Sequence, residues 1–263
     1  MAPVFRPNSP QDDLWLWTFR DEGVFAGFTW RGRGDSNNFL PQAAGSAAAW
    51  RRLMDATGAA AMVHGEQVHG SQVALLAGGP LRSELTVPGV DGLATTVARV
   101  AVAVRVADCV PILVWAPGVV AAVHGGWRGL ATGVLASGVR QLRRAGASPS
   151  ALHAAVGPAI GPCCYQVGPD VAERLSNLPG GSEAIIKRDG AIFADLPSLA
   201  VAGLINLGVP ADNISRVDMC TRCNPQLLFS YRRDGQAAGR QVGTVMLLQG
   251  REPPLTATET EAP

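Results

Sequence analysis

The stretch from Val100 to Val123 is almost wholly apolar, yet it carries Arg105, Asp108, Pro111 and Pro117. A membrane helix needs about 20 predominantly apolar residues without such interruptions, so the stretch reads as a set of buried strands. Valine recurs at every second position from Val100 to Val106, which puts the larger branched side chains on one face of a strand. Ile112 to Trp115 and Val119 to Val123 form two further apolar runs, and Ala116-Pro117-Gly118 between them has the length and residue types of a hairpin loop. Beyond His124 and the Gly125-Gly126 pair, Leu130, Val134, Leu135, Val139 and Leu142 recur at helical spacing. The helix continues through Gly133 and Gly138, each at a cost of about 1 kcal/mol relative to alanine.

Later in the chain, Asp195 before Leu196-Pro197 is a helix start and Gly208 its stop, while Gly168-Pro169 opens a shorter helix towards Leu175. Ile214 to Val217, Leu227 to Tyr231 and Val242 to Leu248 read as strands. The fold class is therefore α+β. The 263 residues, 47% of them hydrophobic, suffice for a packed core, and no linker divides them. A single catalytic domain is expected over 14–250, with a flexible segment over 1–13 and a disordered tail over 251–263. A net charge of +1 with mixed signs excludes an electrostatic footprint for nucleic acid or anionic membrane. Five cysteines, an odd number, without a secretory signal point to a reducing cytoplasm.

The strands carry chemistry at their ends. Cys109 follows the valine strand, the hairpin returns His124 close to it, and His69 supplies a second imidazole from upstream. One thiolate and two imidazoles suit zinc and leave a fourth tetrahedral position open, although the same donors accept copper. A multicopper phenol oxidase would need more histidines than the four present. Cys109 and His124 could instead serve as nucleophile and base without a metal. Arg51, Arg128, Arg232 and Arg233 are candidate cations for a phosphate, since guanidinium matches phosphate oxygens in a bidentate way. Arg232 and Arg233 point to opposite faces if they lie on a strand, so at most one enters the site. Cys164 and Tyr165 follow the Gly157 to Gly161 turn as pocket-lining candidates, and Asp91 before Gly92 reads as a turn residue. Cys220-Thr221-Arg222-Cys223 is a C-x-x-C, but adjacent Cys163 and Cys164 suit a four-sulfur site poorly, so packed free thiols are expected.

Six segments together resemble the YfiH-type family, also known as laccase-domain or polyphenol oxidase-like proteins. They are Gln67-Val68-His69-Gly70, Asp91-Gly92-Leu93-Ala94-Thr95, Ala107-Asp108-Cys109-Val110-Pro111, Ala122 to Gly129 (Ala-Val-His-Gly-Gly-Trp-Arg-Gly), Gly157 to Tyr165 and Phe229 to Gly235, in the family's order over residues 24–248. The resemblance implies sheets packed as a sandwich with flanking helices and a metal held by His69, Cys109 and His124. It also implies zinc-dependent phosphorolysis of purine nucleosides (adenosine, inosine, guanosine, methylthioadenosine) together with adenosine deamination, with copper and phenol oxidation as the family's older reading. The small-molecule partners would be a nucleoside and phosphate, and the chain a monomer or small homo-oligomer. The chain departs from the family at Ala26-Gly27-Phe28, where a histidine usually leads, at Arg31-Gly32-Arg33-Gly34, and at Trp50-Arg51, so Arg51 carries over only as a substrate or phosphate contact. The fifteen-residue spacing of Cys109 and His124 also resembles that of the bacterial cytotoxic necrotizing factor deamidases. A link of the family to peptidoglycan-precursor editing keeps a Cys-His hydrolase or amidase as the alternative.

Overall fold

The computed structural model describes residues 6–7, 13–21, 23–76, 78 and 84–249. In chain order its strands are β1 (Arg6–Pro7), β2 (Trp15–Arg20), β3 (Val24–Thr29), β4 (Ala61–Gly65), β5 (Val73–Leu76), β6 (Glu84–Val87), β7 (Gly92–Thr95), β8 (Val100–Val106), β9 (Val110–Ala116), β10 (Val119–Gly125), β11 (His153–Val156), β12 (Gln166–Val167), β13 (Ile185–Arg188), β14 (Ala191–Ala194), β15 (Ile214–Arg216) and β16 (Gln241–Leu247). The helices are α1 (Ser46–Thr57), α2 (Trp127–Ala131), α3 (Val134–Arg144), α4 (Pro169–Ser176), α5 (Gly181–Ala184), α6 (Leu196–Asn206) and α7 (Tyr231–Asp234).

The expected sandwich is present. A seven-stranded sheet in the order β1-β2-β3-β16-β8-β4-β6 faces a six-stranded sheet in the order β15-β11-β9-β10-β7-β5, and β12-β14-β13 make a small third sheet. The alternation along β8 explains the layering. Val100, Val102 and Val104 point between the sheets and pack with Leu93, Leu113, Trp115, Val120 and Ala122 of the facing sheet. Ala101 and Ala103 point the other way, where their small side chains leave room for Trp50 and Leu53 of α1. The outer face of the six-stranded sheet, including Ile112, Val114, Ala121 and Val123, is covered by Val134, Val139 and Leu142 of α3 and by Leu199 and Leu204 of α6. Strands covered on both faces read as near-continuous apolar runs, and each fully buried valine contributes about 1.5–3 kcal/mol relative to an exposed one.

The topology places the site. β4 pairs in parallel with β6 and β8. After each of these three strands the chain leaves the seven-stranded sheet and enters the six-stranded one, as β5, β7 and β9 respectively. Three crossover loops thus gather at the carboxyl ends of neighbouring parallel strands, where an open α/β sheet places its ligands.

Several local expectations change. The hairpin turns on Pro117-Gly118 alone, with Ala116 opposite Val119. The helix expected from Leu130 to Leu142 is two helices, because Gly133 adopts a left-handed φ of 88° between α2 and α3. Leu227 to Tyr231 is not a strand. Its backbone is held by the Gln241 side chain, which accepts from Phe229 N at 2.8 Å and donates to Phe229 O at 3.2 Å, before the chain turns into α7. Asp195 caps α6 as expected, its carboxylate accepting from Ser198 N at 3.0 Å. Arg6 and Pro7, inside the segment expected to be flexible, pair with Thr18 and Trp17 of β2. The remainder of 1–12 and the tail over 251–263 lie outside the described residues. Among the described residues no helix is long and apolar enough to cross a membrane.

Candidate active site

His69 lies on the crossover from β4 to β5, Asp91 on that from β6 to β7 and Cys109 on that from β8 to β9, while His124 stands near the end of β10. Ligand atoms of His69, Cys109 and His124 lie within 4.8 Å of one another, and the two imidazole rings meet edge to face with centroids 4.9 Å apart. The sequence-derived donor set is therefore assembled. The other two histidines are elsewhere, His64 stacked on Trp50 and His153 on Trp115.

Asp91 is more than the turn residue the sequence suggested. Fully buried, it accepts from His124 Nδ1 at 2.8 Å and His69 N at 2.8 Å through Oδ1, and from Gly70 N at 2.7 Å and Val68 N at 3.2 Å through Oδ2. Burial alone would raise its pKa, but the hydrogen bonds from His124 and from Gly70 and His69 outweigh burial and lower it. A carboxylate on Nδ1 holds the Nδ1–H tautomer, so that Nε2 is the nitrogen left to bind a metal. The same carboxylate holds the loop that carries His69. Gln67 and His69 adopt left-handed φ values of 42° and 61°, and Asp108, just before Cys109, one of 92°. Non-glycine residues in this region cost about 1–3 kcal/mol each and persist where the surroundings fix them, here through the Asp91 and Asp108 hydrogen bonds.

Gly126 completes the donor site. A Cβ there would meet His69 Cδ2 at 3.0 Å and Cys109 Sγ at 3.3 Å, so glycine keeps the space over the donors clear. Burial opposes ionisation of Cys109, but the charge of His124 and hydrogen bonds from both histidines bring its pKa down to about 6. Burial likewise disfavours charge on His124, yet Cys109 and Asp91 raise its pKa to about 9. Each shift favours the charged form, thiolate on Cys109 and imidazolium on His124. The donor chemistry fits a borderline-soft ion: one thiolate, two imidazoles, an acceptor behind one of them and an open side.

The donors open into a cavity of about 570 Å³ whose walls include Arg105, Arg128, Arg232, Arg240, Tyr165 and Trp127. Arg128 and Arg232, both expected from the sequence, line it, with guanidinium groups over Trp127 at 4.5 Å and Tyr165 at 5.1 Å. Arg233 is turned away and bonds Thr221 O, Leu228 O and the Asp234 carboxylate. One arginine of the pair enters the cavity, as expected, but a helix rather than a strand separates them. Arg51 does not line the cavity and is exposed on α1, and Cys164 turns into a cluster with Cys163, Cys220 and Cys223 instead of towards the donors.

Two cavity cations were not among the candidates. Arg105 was visible in sequence as a lone charge inside a valine strand. Its backbone is clamped by Gln67, which accepts from Arg105 N and donates to Arg105 O, both at 2.8 Å. Arg240 had no sequence signal. It is held by Ala238 O at 2.7 Å and Gly239 O at 2.9 Å. Burial lowers the pKa of both, and repulsion from Arg240 lowers that of Arg105 further. Among the described residues none of Arg105, Arg128, Arg232 and Arg240 forms an ion pair with a carboxylate. Negative charge on Glu84 opposes the shift of Arg105, and that on Cys109 and Asp108 the shift of Arg240, but crowded, partly desolvated guanidiniums without a direct carboxylate partner still favour an anion.

Similar proteins share this arrangement of sheets. The crystal structure of a Bacillus licheniformis hypothetical protein, YfiH, superposes with a TM-score of 0.83 at 28% identity, covering 92% of this chain and 98% of the other. YlmD from Geobacillus stearothermophilus superposes with a TM-score of 0.81 at 30% identity, covering 94% and 100%. That organism's purine nucleoside phosphorylase YlmD is 38% identical over 191 residues, 68% of this chain and 70% of the relative. Adenosine deaminase RL5 from an unknown prokaryotic organism is 36% identical over 162 residues, 60% and 62% of the two chains. The profile of the multi-copper polyphenol oxidoreductase laccase family matches residues 41–248, a span that holds His69, Asp91, Cys109, His124 and all four cavity arginines, and the chain belongs to that family.

Proposed function

We propose that the chain is a metal-dependent purine nucleoside phosphorylase that also deaminates adenosine. The observation that carries this reading is the joining, in one cavity, of a His69-Cys109-His124 donor set with four arginines lacking carboxylate partners. A deaminase needs water and a nucleoside alone, whereas a phosphorylase must also hold a polyanion. The names of the YlmD and RL5 relatives favour the same pair of reactions.

His69, Cys109 and His124 would hold the ion, zinc by donor type with copper as the competitor. When bound, such an ion supplies Lewis acidity. Asp91 keeps His124 in its ligating tautomer. Arg105 and Arg240 are assigned to phosphate, because they are a half-buried pair of like charges whose repulsion an anion relieves. Tyr165 and Trp127 offer flat apolar surface to a purine, braced by Arg232 and Arg128. In phosphorolysis a phosphate oxygen bonds C1′ of ribose, the N-glycosidic bond breaks, and the purine leaves with a proton. Adenosine, inosine, guanosine and methylthioadenosine are the proposed substrates, in the cytoplasm, where the five unbonded cysteines stay reduced.

The test is chromatography of adenosine incubated with zinc-loaded protein, with and without phosphate, beside a Cys109→Ala control. Phosphate-dependent adenine and ribose 1-phosphate establish the phosphorylase, and inosine establishes the deaminase, provided the control is silent. Unchanged adenosine in both arms overturns the proposal.

A second reading has its own observation. Cys109, with its pKa brought down to about 6, faces His124, which Asp91 orients, in the order nucleophile, base and orienting carboxylate. A metal-free hydrolase or amidase acting on a peptidoglycan precursor would use those three and dispense with His69. Activity retained by a metal-free His69→Ala protein would select it.

A further inference from the structure

Outside the active site, four cysteines from two distant loops converge. The sulfurs of Cys163, Cys164, Cys220 and Cys223 all lie within 4.8 Å of one another, Cys223 standing 3.6 Å from Cys163 and 3.4 Å from Cys164. A tetrahedral ion with metal–sulfur bonds of about 2.3 Å would space its sulfurs about 3.8 Å apart. A disulfide would need two of them near 2.05 Å and would leave Cys223 favouring one partner. Adjacency of Cys163 and Cys164 argued against such a site in sequence. The chain turns over 162–164, however, and this brings successive side chains round to one side.

The surroundings are those of a thiolate centre. Cys220 Sγ accepts from Gly161 N at 3.3 Å and from the backbone N–H of Cys223, the sulfur-to-backbone arrangement that stabilises a bound thiolate within a C-x-x-C turn. Arg222 lies against Cys164, and Arg188 donates to Cys163 O at 3.3 Å, bringing positive charge to a centre that would carry two negative charges.

We propose that Cys163, Cys164, Cys220 and Cys223 bind a second, structural divalent ion of the zinc class as four thiolates, separate from the active-site donors. Its place in the fold gives it a task. Between Cys220 and Cys223, Thr221 donates its hydroxyl to Asp108, beside Cys109, and Asp108 also accepts from Arg232 N at 2.6 Å. Tyr165 follows Cys164 directly. The ion ties the loop bearing Tyr165 to the loop that fixes Arg232, and so holds one wall of the cavity in position.

The chain has five cysteines, so a Cys109→Ala protein retains sulfur ligands only in this cluster. Purified full-length under reducing conditions with zinc, it should keep about one zinc per chain, and adding Cys220→Ser and Cys223→Ser should remove that zinc. A Cys109→Ala protein without zinc, or zinc content indifferent to the added pair, overturns the proposal. Because the multiple variant could fail to fold, cobalt(II) is also added to the Cys109→Ala protein alone. Intense sulfur-to-cobalt charge transfer with tetrahedral d–d bands upholds the site, and a spectrum without them overturns it. A disulfide within the cluster, found by mass spectrometry of the reduced preparation, overturns it as well.

Discussion

Replacing Asp91 by asparagine tests how the donor site is ordered. The carboxylate accepts four hydrogen bonds, two on each oxygen, and has no proton to give. Asparagine keeps one oxygen but must put an NH2 in place of the other. With the NH2 on the Oδ2 side, Gly70 N and Val68 N face a donor and lose their acceptor, at about 1–3 kcal/mol for each buried group. With the NH2 on the Oδ1 side, His124 must accept at Nδ1, which moves its proton to Nε2 and removes the nitrogen available for a metal. Either way the His124 imidazole loses a charged acceptor. Loss of such a partner lowers metal affinity roughly 10–100-fold, equivalent to about 1.4–2.7 kcal/mol. Zinc titration against a competing chelator reads the affinity, thermal unfolding without metal reads the structural cost, and imidazole 15N shifts read the tautomer. Wild-type zinc affinity in Asp91→Asn would refute the argument, and so would an unchanged Nδ1–H tautomer without any loss of metal-free stability, since that tautomer requires the NH2 to face Gly70 N and Val68 N.

Metal affinity should rise with pH between about 6 and 9, because the metal accepts Cys109 already as thiolate while His124 must shed its proton. Below that window Cys109 must also deprotonate, so the dependence steepens; calorimetry in buffers of different ionisation enthalpy counts the protons released. Arg240→Met should raise the KM for phosphate roughly 10–100-fold, the worth of a charge-assisted hydrogen bond, while adenosine deamination by the same preparation stays near wild type. Equal loss of both activities would remove Arg240 from the phosphate site. Gly133→Ala should destabilise by about 1 kcal/mol and lower Tm by about 2–4 °C, since the left-handed φ penalises alanine although a Cβ there has nothing within 4 Å. A continuous helix would give the opposite sign, so a raised Tm contradicts the observed break.

Legibility in the sequence followed the range of the interaction. The Val100 to Val123 strands and their hairpin were readable because alternation and a Pro-Gly turn act within a few residues, and they sufficed to bring Cys109 and His124 together. The break at Gly133 was not, because helical spacing continues across it while its φ is set by how α2 and α3 each dock. Leu227 to Tyr231 resembled a strand because it is a largely apolar run in which Leu228 and Phe229 are buried, but the side chain of Gln241 supplies the hydrogen bonds of Phe229 in place of a neighbouring strand. The sandwich and its flanking helices came from family resemblance, since pairing order is invisible to periodicity. At the site the three donors were readable and their support was not. Asp91 looked like a turn beside Gly92 because its donors come from Val68 to Gly70 and from His124. Arg240 carried no local signal, and Arg51, placed by a resemblance at its weakest point, lies exposed on α1.

The crossover positions of His69, Asp91 and Cys109 have a mechanical consequence. Each sits where the chain steps from one sheet to the other, so the spacing of the donors is also a measure of how the two sheets sit on one another. An ion gripped there acts as a rivet at one end of the sandwich and resists sliding of the layers. Conversely, a volume change deep between the sheets, at Val102 or Leu113 for example, would reach the donors as a change in their separation without touching any of them. The packing of this interior therefore belongs to the calibration of the site as much as to the stability of the fold.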